Sequence, residues 1–145
     1  MMLPDVNVLV YAFREGSQHH QQYVDWLTDL VSGADELALS DLVVSGFVRI
    51  VTNPRICRPP APTTRALAFV ADLRRARRLT WLNPSDAVWE QFGELARQDR
   101  AIRANLVPDA YLAATAMVNG AKLATADHGF ARFPGLRWFD PIEGR

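Results

Sequence analysis

Between Ser17 and Gly33, the apolar residues Tyr23, Trp26, Leu27, Leu30 and Val31 recur at i, i+3, i+4, i+7 and i+8, the stripe of one buried helix face. Ser17 is placed to cap that helix and Gly33 to end it. A second helix is predicted to start at Ser40 or Asp41, either of which can cap it. It runs to about Thr52, where Asn53-Pro54 stops it. Thr63 or Thr64 caps a third, with Leu67, Val70 and Leu73 on its inner face. Ser85 caps a fourth, which carries Val88, Trp89, Phe92, Leu95 and Ala96. Around Asn105 to Gly120 lies an Ala-rich helix whose small-residue face suits close packing. Short runs of β character fall between these helices: Met1 to Asp5, Glu36 to Leu39, Leu79 to Leu82, Lys122 to Ala126 and Leu136 to Phe139. Val6 to Phe13 is apolar at nearly every position, so periodicity leaves strand and buried helix both open.

Strands separated by helices imply parallel pairing through helical crossovers. The expected fold is therefore α/β, a three-layer α/β/α sandwich around a mainly parallel sheet. At 145 residues the chain has the length of one domain, read here as 1–145. Arg58-Pro59-Pro60-Ala61-Pro62 is then a loop inside that domain rather than a linker. A hydrophobic fraction of 49% and a charged fraction of 22% exclude disordered and collagenous chains. With Cys57 as the single cysteine, an intrachain disulfide and a thiolate zinc cage are both excluded, which fits a reducing cytoplasm. No apolar run approaches the roughly 20 residues of a membrane span. The apolar start lacks the preceding basic region of a signal peptide.

Charge narrows the choice of partner. Sixteen basic and 16 acidic residues cancel, which excludes a globally basic nucleic-acid binder but leaves a local basic patch open. Lys122 is the only lysine, so almost all positive charge sits on arginine forks suited to phosphate. Arg49, Arg100 and Arg103 are candidates for contact with nucleic-acid phosphates, the last two because they directly precede the Ala-rich helix. The denser Arg74, Arg75, Arg77 and Arg78 cluster reads equally well as a solvated face.

Three acids stand out by position. Asp5 follows the first strand, Asp127 follows a late one, and Asp109 lies in the first turn of the Ala-rich helix. In an open parallel sheet, ligands bind beyond the carboxyl ends of the strands, where all three can meet. Each also has an ordinary explanation: Asp5 as a helix cap, Asp109 as a residue favoured by the helix dipole, Asp127 as a turn residue before His128-Gly129. Carboxylates gathered together repel one another unless a cation is present, and the hard oxygen-loving ions Mg²⁺ or Mn²⁺ are suited to that role.

Four segments, read together, carry a resemblance. They are Leu3-Pro4-Asp5-Val6-Asn7-Val8-Leu9, Gly46-Phe47-Val48-Arg49-Ile50-Val51-Thr52-Asn53-Pro54, Asn105-Leu106-Val107-Pro108-Asp109-Ala110-Tyr111, and Thr125-Ala126-Asp127 with Phe130-Ala131-Arg132-Phe133-Pro134-Gly135. Their order and spacing over nearly the whole chain resemble the PIN-domain ribonucleases, in particular the VapC-type toxins of bacterial toxin–antitoxin pairs. The resemblance implies a Mg²⁺-dependent endoribonuclease, restrained by a VapB-type antitoxin and forming a homodimer. Asp5, Asp109 and Asp127 match the family's catalytic and metal-site acids. Asn7 and Thr125 are expected to steer those carboxylates by hydrogen bonding. One departure stands out: PIN domains usually carry a Glu in the helix around Gly46, and Ser45 precedes that glycine here. Asp41, one turn earlier on the same face, is a candidate replacement. The alternative function is a catalytically weakened PIN-like module that binds RNA or protein.

Overall fold

The computed structural model describes residues 1–143. The expected domain through residue 145 ends on two residues outside that range. Five strands form the sheet: β1 (Met2–Pro4), β2 (Leu37–Ser40), β3 (Leu79–Leu82), β4 (Lys122–Ala124) and β5 (Trp138–Phe139). Six helices connect them: α1 (Val6–Phe13), α2 (His20–Ser32), α3 (Asp41–Val51), α4 (Thr63–Leu73), α5 (Asp86–Gln98) and α6 (Leu106–Val118). A 3₁₀ turn at His128–Arg132 follows β4. The strand order is β3-β2-β1-β4-β5 and every pairing is parallel. Met2 lies between Leu37 and Lys122, and Pro4 faces Ala124.

The chain steps from β1 outward through β2 to β3, then returns to the other side of β1 as β4. Right-handed crossovers place the two sets of connecting helices on opposite faces of the sheet. The helix contacts divide the same way: α1 packs on α2 and α3, and α3 on α4, while α5 packs on α6. This is the expected α/β/α arrangement. The direction of travel reverses between β1 and β4, so the crevice beyond their carboxyl ends is the topological switch point.

The ambiguous Val6–Phe13 run is a helix because the Asp5 carboxylate accepts the Val6 N–H and caps it. It is apolar nearly all round because the sheet, α2 and α3 enclose it, burying Val8, Leu9, Val10 and Ala12. Ser40 and Ser85 cap α3 and α5 as expected, each accepting from the N–H three residues on. Two expected caps differ. The Ser17 hydroxyl donates backward to Tyr11 O and Arg14 O, and α2 begins after His19 in a left-handed conformation, φ 58°. The N-cap of α4 is Pro62, which supplies no side-chain acceptor, and Thr63 is already helical. On α4 the buried stripe is Ala66, Val70 and Leu73, whereas Leu67 is 52% exposed. The i, i+4, i+7 spacing follows the helical period better than the i, i+3, i+6 spacing that included Leu67. Among the described residues no helix is long and apolar enough to cross a membrane.

Candidate active site

The switch point is organised by Thr125, which is fully buried where the chain leaves β4. Its hydroxyl donates to Asp5 Oδ2 at 2.8 Å and accepts from the Asp127 N–H at 3.0 Å. Asn7, in the first turn of α1, completes the frame. Its amide donates to Asp5 Oδ2 and to Thr125 Oγ1, both at 3.2 Å, while its carbonyl accepts from the Ala126 N–H at 3.2 Å. Both Asp5 oxygens are thus fixed, and the end of β1 is tied to the end of β4. Asp127 is exposed, and its Oδ1 accepts from the Gly129 N–H at 2.8 Å. Asp109 sits half-buried in the first turn of α6.

The charges are not internally balanced. Burial pushes the Asp5 carboxyl above its ordinary value and the nearby Asp127 adds to this, while hydrogen bonds from Thr125 and Val6 oppose it. Asp109 is raised to about 6, first by burial and then by the charges of Asp5 and Asp127. A cation relieves this repulsion, and a donor set made of carboxylate oxygens matches a hard divalent ion such as Mg²⁺ or Mn²⁺.

Two adjoining clefts open on these acids. One, of about 370 Å³, is lined by Asp5, Asp109, Ser45, Gly46 and Arg49. The other, of about 380 Å³, is lined by Asp5, Asn7, Asp109, Asp127, Cys57 and Arg14. The structure therefore brings together Asp5, Asp109, Asp127, Asn7 and Thr125, with Ser45 and Arg49 at the rim. It does not bring Asp41 in. That carboxylate accepts the Trp81 indole N–H at 2.9 Å and lines a neighbouring pocket with Leu82 and Tyr111. Ser45 turns its hydroxyl to Leu42 O, 3.3 Å away. Arg100 and Arg103 stand exposed between α5 and α6 and are not among the residues lining either cleft. Arg75 and Arg78 of the denser cluster pair with acids, as does Arg97 on α5.

Two features were not foreseen. Arg14, at the end of α1, reaches the cleft that holds Asp127. Only recognising Val6–Phe13 as a helix starting at Asp5 would have placed it there. His128, Asp140 and Glu143 form a separate cluster, with their ligand atoms all within 4.8 Å of one another. The strand at Leu136 to Phe139 was expected, but no pattern shows that Asp140 and Glu143 after it return to His128.

Comparison with known proteins agrees over the whole chain. A family model described as PIN domain matches residues 2–136. Ribonuclease VapC43 of Mycobacterium tuberculosis is 40% identical over 145 residues, covering 100% of this chain and 98% of its own. Ribonuclease VapC37 of the same organism is 36% identical over 143 residues, 97% of each chain. Among solved structures, VapBC2 from Rickettsia felis, bound to a DNA fragment from their promoter, superposes with a TM-score of 0.70 at 21% identity. That match covers 96% of this chain and 97% of the other. The strand-end acids, the parallel sheet that gathers them and the full-length matches agree: the chain belongs to the PIN-domain family, among the VapC-type ribonucleases.

Proposed function

We propose that residues 1–145 form one domain that acts as a divalent-metal-dependent endoribonuclease, the toxin of a VapBC-type pair. The observation that carries this reading is the meeting of Asp5, Asp109 and Asp127 at the switch point, with burial and mutual repulsion raising Asp109 to about 6. Asp5, Asp109 and Asp127 would hold the ion, Mg²⁺ with Mn²⁺ as a substitute. When bound, it supplies Lewis-acid polarisation of a phosphodiester oxygen and lowers the pKa of a water.

The remaining roles belong to the chain itself. Thr125 and Asn7 hold the Asp5 carboxylate in one orientation, so that no rotamer search accompanies binding. Asp127, exposed and anchored through one oxygen by the Gly129 N–H, has its other oxygen left to hold the ion or to orient an attacking water. Arg49 at one rim and Arg14 at the other offer guanidinium forks to the phosphates of the strand. Arg100 and Arg103 would add only distant electrostatic attraction.

A VapB-type antitoxin and a second copy of the chain complete the proposal, with action in the cytoplasm. An apolar groove between α1, α2 and α4, lined by Val24, Leu27, Val31, Phe69 and Leu73, suits the apolar face of a partner helix. The competing reading, a weakened binding module, is favoured by one observation: Asp41 is bound to Trp81 and does not supply a fourth acid.

Incubation of end-labelled RNA with purified protein separates the two. Cleavage with Mg²⁺ or Mn²⁺ that is lost in excess EDTA, and lost in Asp5→Asn, supports the enzyme. Binding without cleavage under every metal condition supports the module.

A further inference from the structure

Alongside the acidic cleft lies a pocket of about 290 Å³ lined by Arg14, Arg58 and Arg65, with Glu15 as its one acid. We propose that these three arginines form an anion site that holds a phosphodiester of the RNA strand away from the bond being cut. The proposal rests on the ribonuclease reading of the neighbouring cleft.

The pocket is built from parts held in place. The loop carrying Arg58 is pinned where the Ala61 N–H donates to Val51 O at 2.8 Å. Arg58 Nε donates to Pro54 O at 3.2 Å, which leaves its two terminal amino groups for a ligand. The Arg65 guanidinium lies over the Phe13 ring, 5.5 Å from its centroid. Phe13 is itself wedged edge-on against Phe47 and Phe69, at 5.3 Å from each. That ring is a rigid platform for the cation.

Charge points to an anion. Among the described residues, none of the three arginines forms an ion pair, whereas Arg75, Arg78, Arg97 and Arg132 do. Arg65 also sits in the first turn of α4, at the positive end of a helix. That turn contains no acidic residue, and Pro62 offers the helix no side-chain acceptor. A cation at that end is unfavourable by itself and becomes favourable with a phosphate bound. Guanidinium forks match phosphate oxygens two at a time, so phosphate is the chemical class that fits.

Continuity identifies the source of the phosphate. Arg14 lines both this pocket and the cleft that holds Asp5, Asp109 and Asp127. An anion here is therefore a neighbour of the cleavage site. A polymer with a phosphate on every residue reaches both places at once, and free phosphate cannot.

The test measures binding of a fluorescent single-stranded RNA in EDTA across a salt series, with cleavage in Mg²⁺ measured separately. Arg58→Gln/Arg65→Gln should weaken binding about tenfold at low salt and flatten the plot of log affinity against log salt by about 1.4. A charge-matched Arg75→Gln/Arg97→Gln control should change affinity less than twofold. Arg14→Lys, which keeps charge but loses the fork, should fall between. Equal losses in both double variants, or an unchanged slope, overturn the site. Inorganic phosphate that binds in wild type but not in Arg58→Gln/Arg65→Gln, with RNA affinity equal in both, shows a free-phosphate pocket and also overturns it. Wild type that cleaves RNA while the slope is unchanged leaves the ribonuclease reading standing and removes only this inference. Wild type that binds with the expected slope change but never cleaves does the reverse.

Discussion

The Thr125 hydroxyl donates to Asp5 Oδ2 at 2.8 Å and so joins the ends of β1 and β4. The same hydroxyl accepts from the Asp127 N–H and from the Asn7 amide, which makes it the common support of two of the three acids. Thr125→Val keeps the shape and removes all three bonds. We expect metal affinity, measured by calorimetry, to fall about 10–100-fold, the usual consequence of losing a hydrogen bond that orients a ligand. Stability should fall by about 1–3 kcal/mol, because Asp5 is left buried with fewer donors.

Asp109 gives the metal-free protein a pH dependence of defined sign. Its folded-state value, about 6, lies above the ordinary 3.8. Between these values the folded form keeps a proton that the unfolded chain has released. Stability from this group is full below about pH 4 and is lost as pH rises to about 6. The group is half-exposed, so solvent screening reduces the loss to about 1–2 kcal/mol. In EDTA, Asp109→Asn should melt at a higher temperature than wild type at pH 7, with the gap closing toward pH 4. Mg²⁺ should stabilise wild type at pH 7 more than at pH 5. A melting temperature that rises with pH from 4 to 6 in wild type, with no such rise in Asp109→Asn, contradicts the assignment.

Ser45 and Asp41 now separate. Ser45 lines the cleft with Asp5 and Asp109, and Asp41 is held by Trp81 outside it. Ser45→Glu should tighten Mg²⁺ binding in RNA-free protein by about tenfold, since a fourth carboxylate enters the donor set. Asp41→Asn should leave cleavage within about twofold of wild type. A large loss in Asp41→Asn would restore it as the replacement acid.

Gly46 explains how α3 approaches the site so closely. A Cβ built there meets Val6 Cγ2 at 3.0 Å. Val6 cannot retreat freely, because its N–H is bonded to Asp5 Oδ1 at 2.7 Å. Gly46→Ala gains about 1 kcal/mol of helix propensity and loses about 1–3 kcal/mol to crowding. Chemical denaturation should show no net gain in stability, and calorimetry a weaker metal site as the Asp5 turn shifts.

Much of this was legible because it is local or periodic. Ser40 and Ser85 announced their helices, and Asp5, Asp109 and Asp127 could be placed at strand and helix ends before any coordinates were known. The segments around these acids carried the family resemblance that the full-length matches bear out. Asp41 was misplaced because helical phase gives a face but not a rotamer, and the Trp81 indole N–H that captures it lies 40 residues away. Leu67 failed because Ala66, one residue earlier, keeps better period with Val70 and Leu73 while looking less hydrophobic. Arg14 and Arg65 gave no signal, since the pocket they share is closed by Arg58 from a loop that no pattern positions.

The central place of β1 has a consequence for synthesis. β1 is made well before the strand that completes its far side, Lys122–Ala124, which Thr125 and Asp127 follow directly. A nascent chain halted before that strand has Asp5 but neither the hydroxyl that orients it nor the exposed acid beside it. The hydrogen-bonded frame around Asp5 therefore closes only once Lys122–Ala124 has docked beside β1, late in the order in which these strands are made.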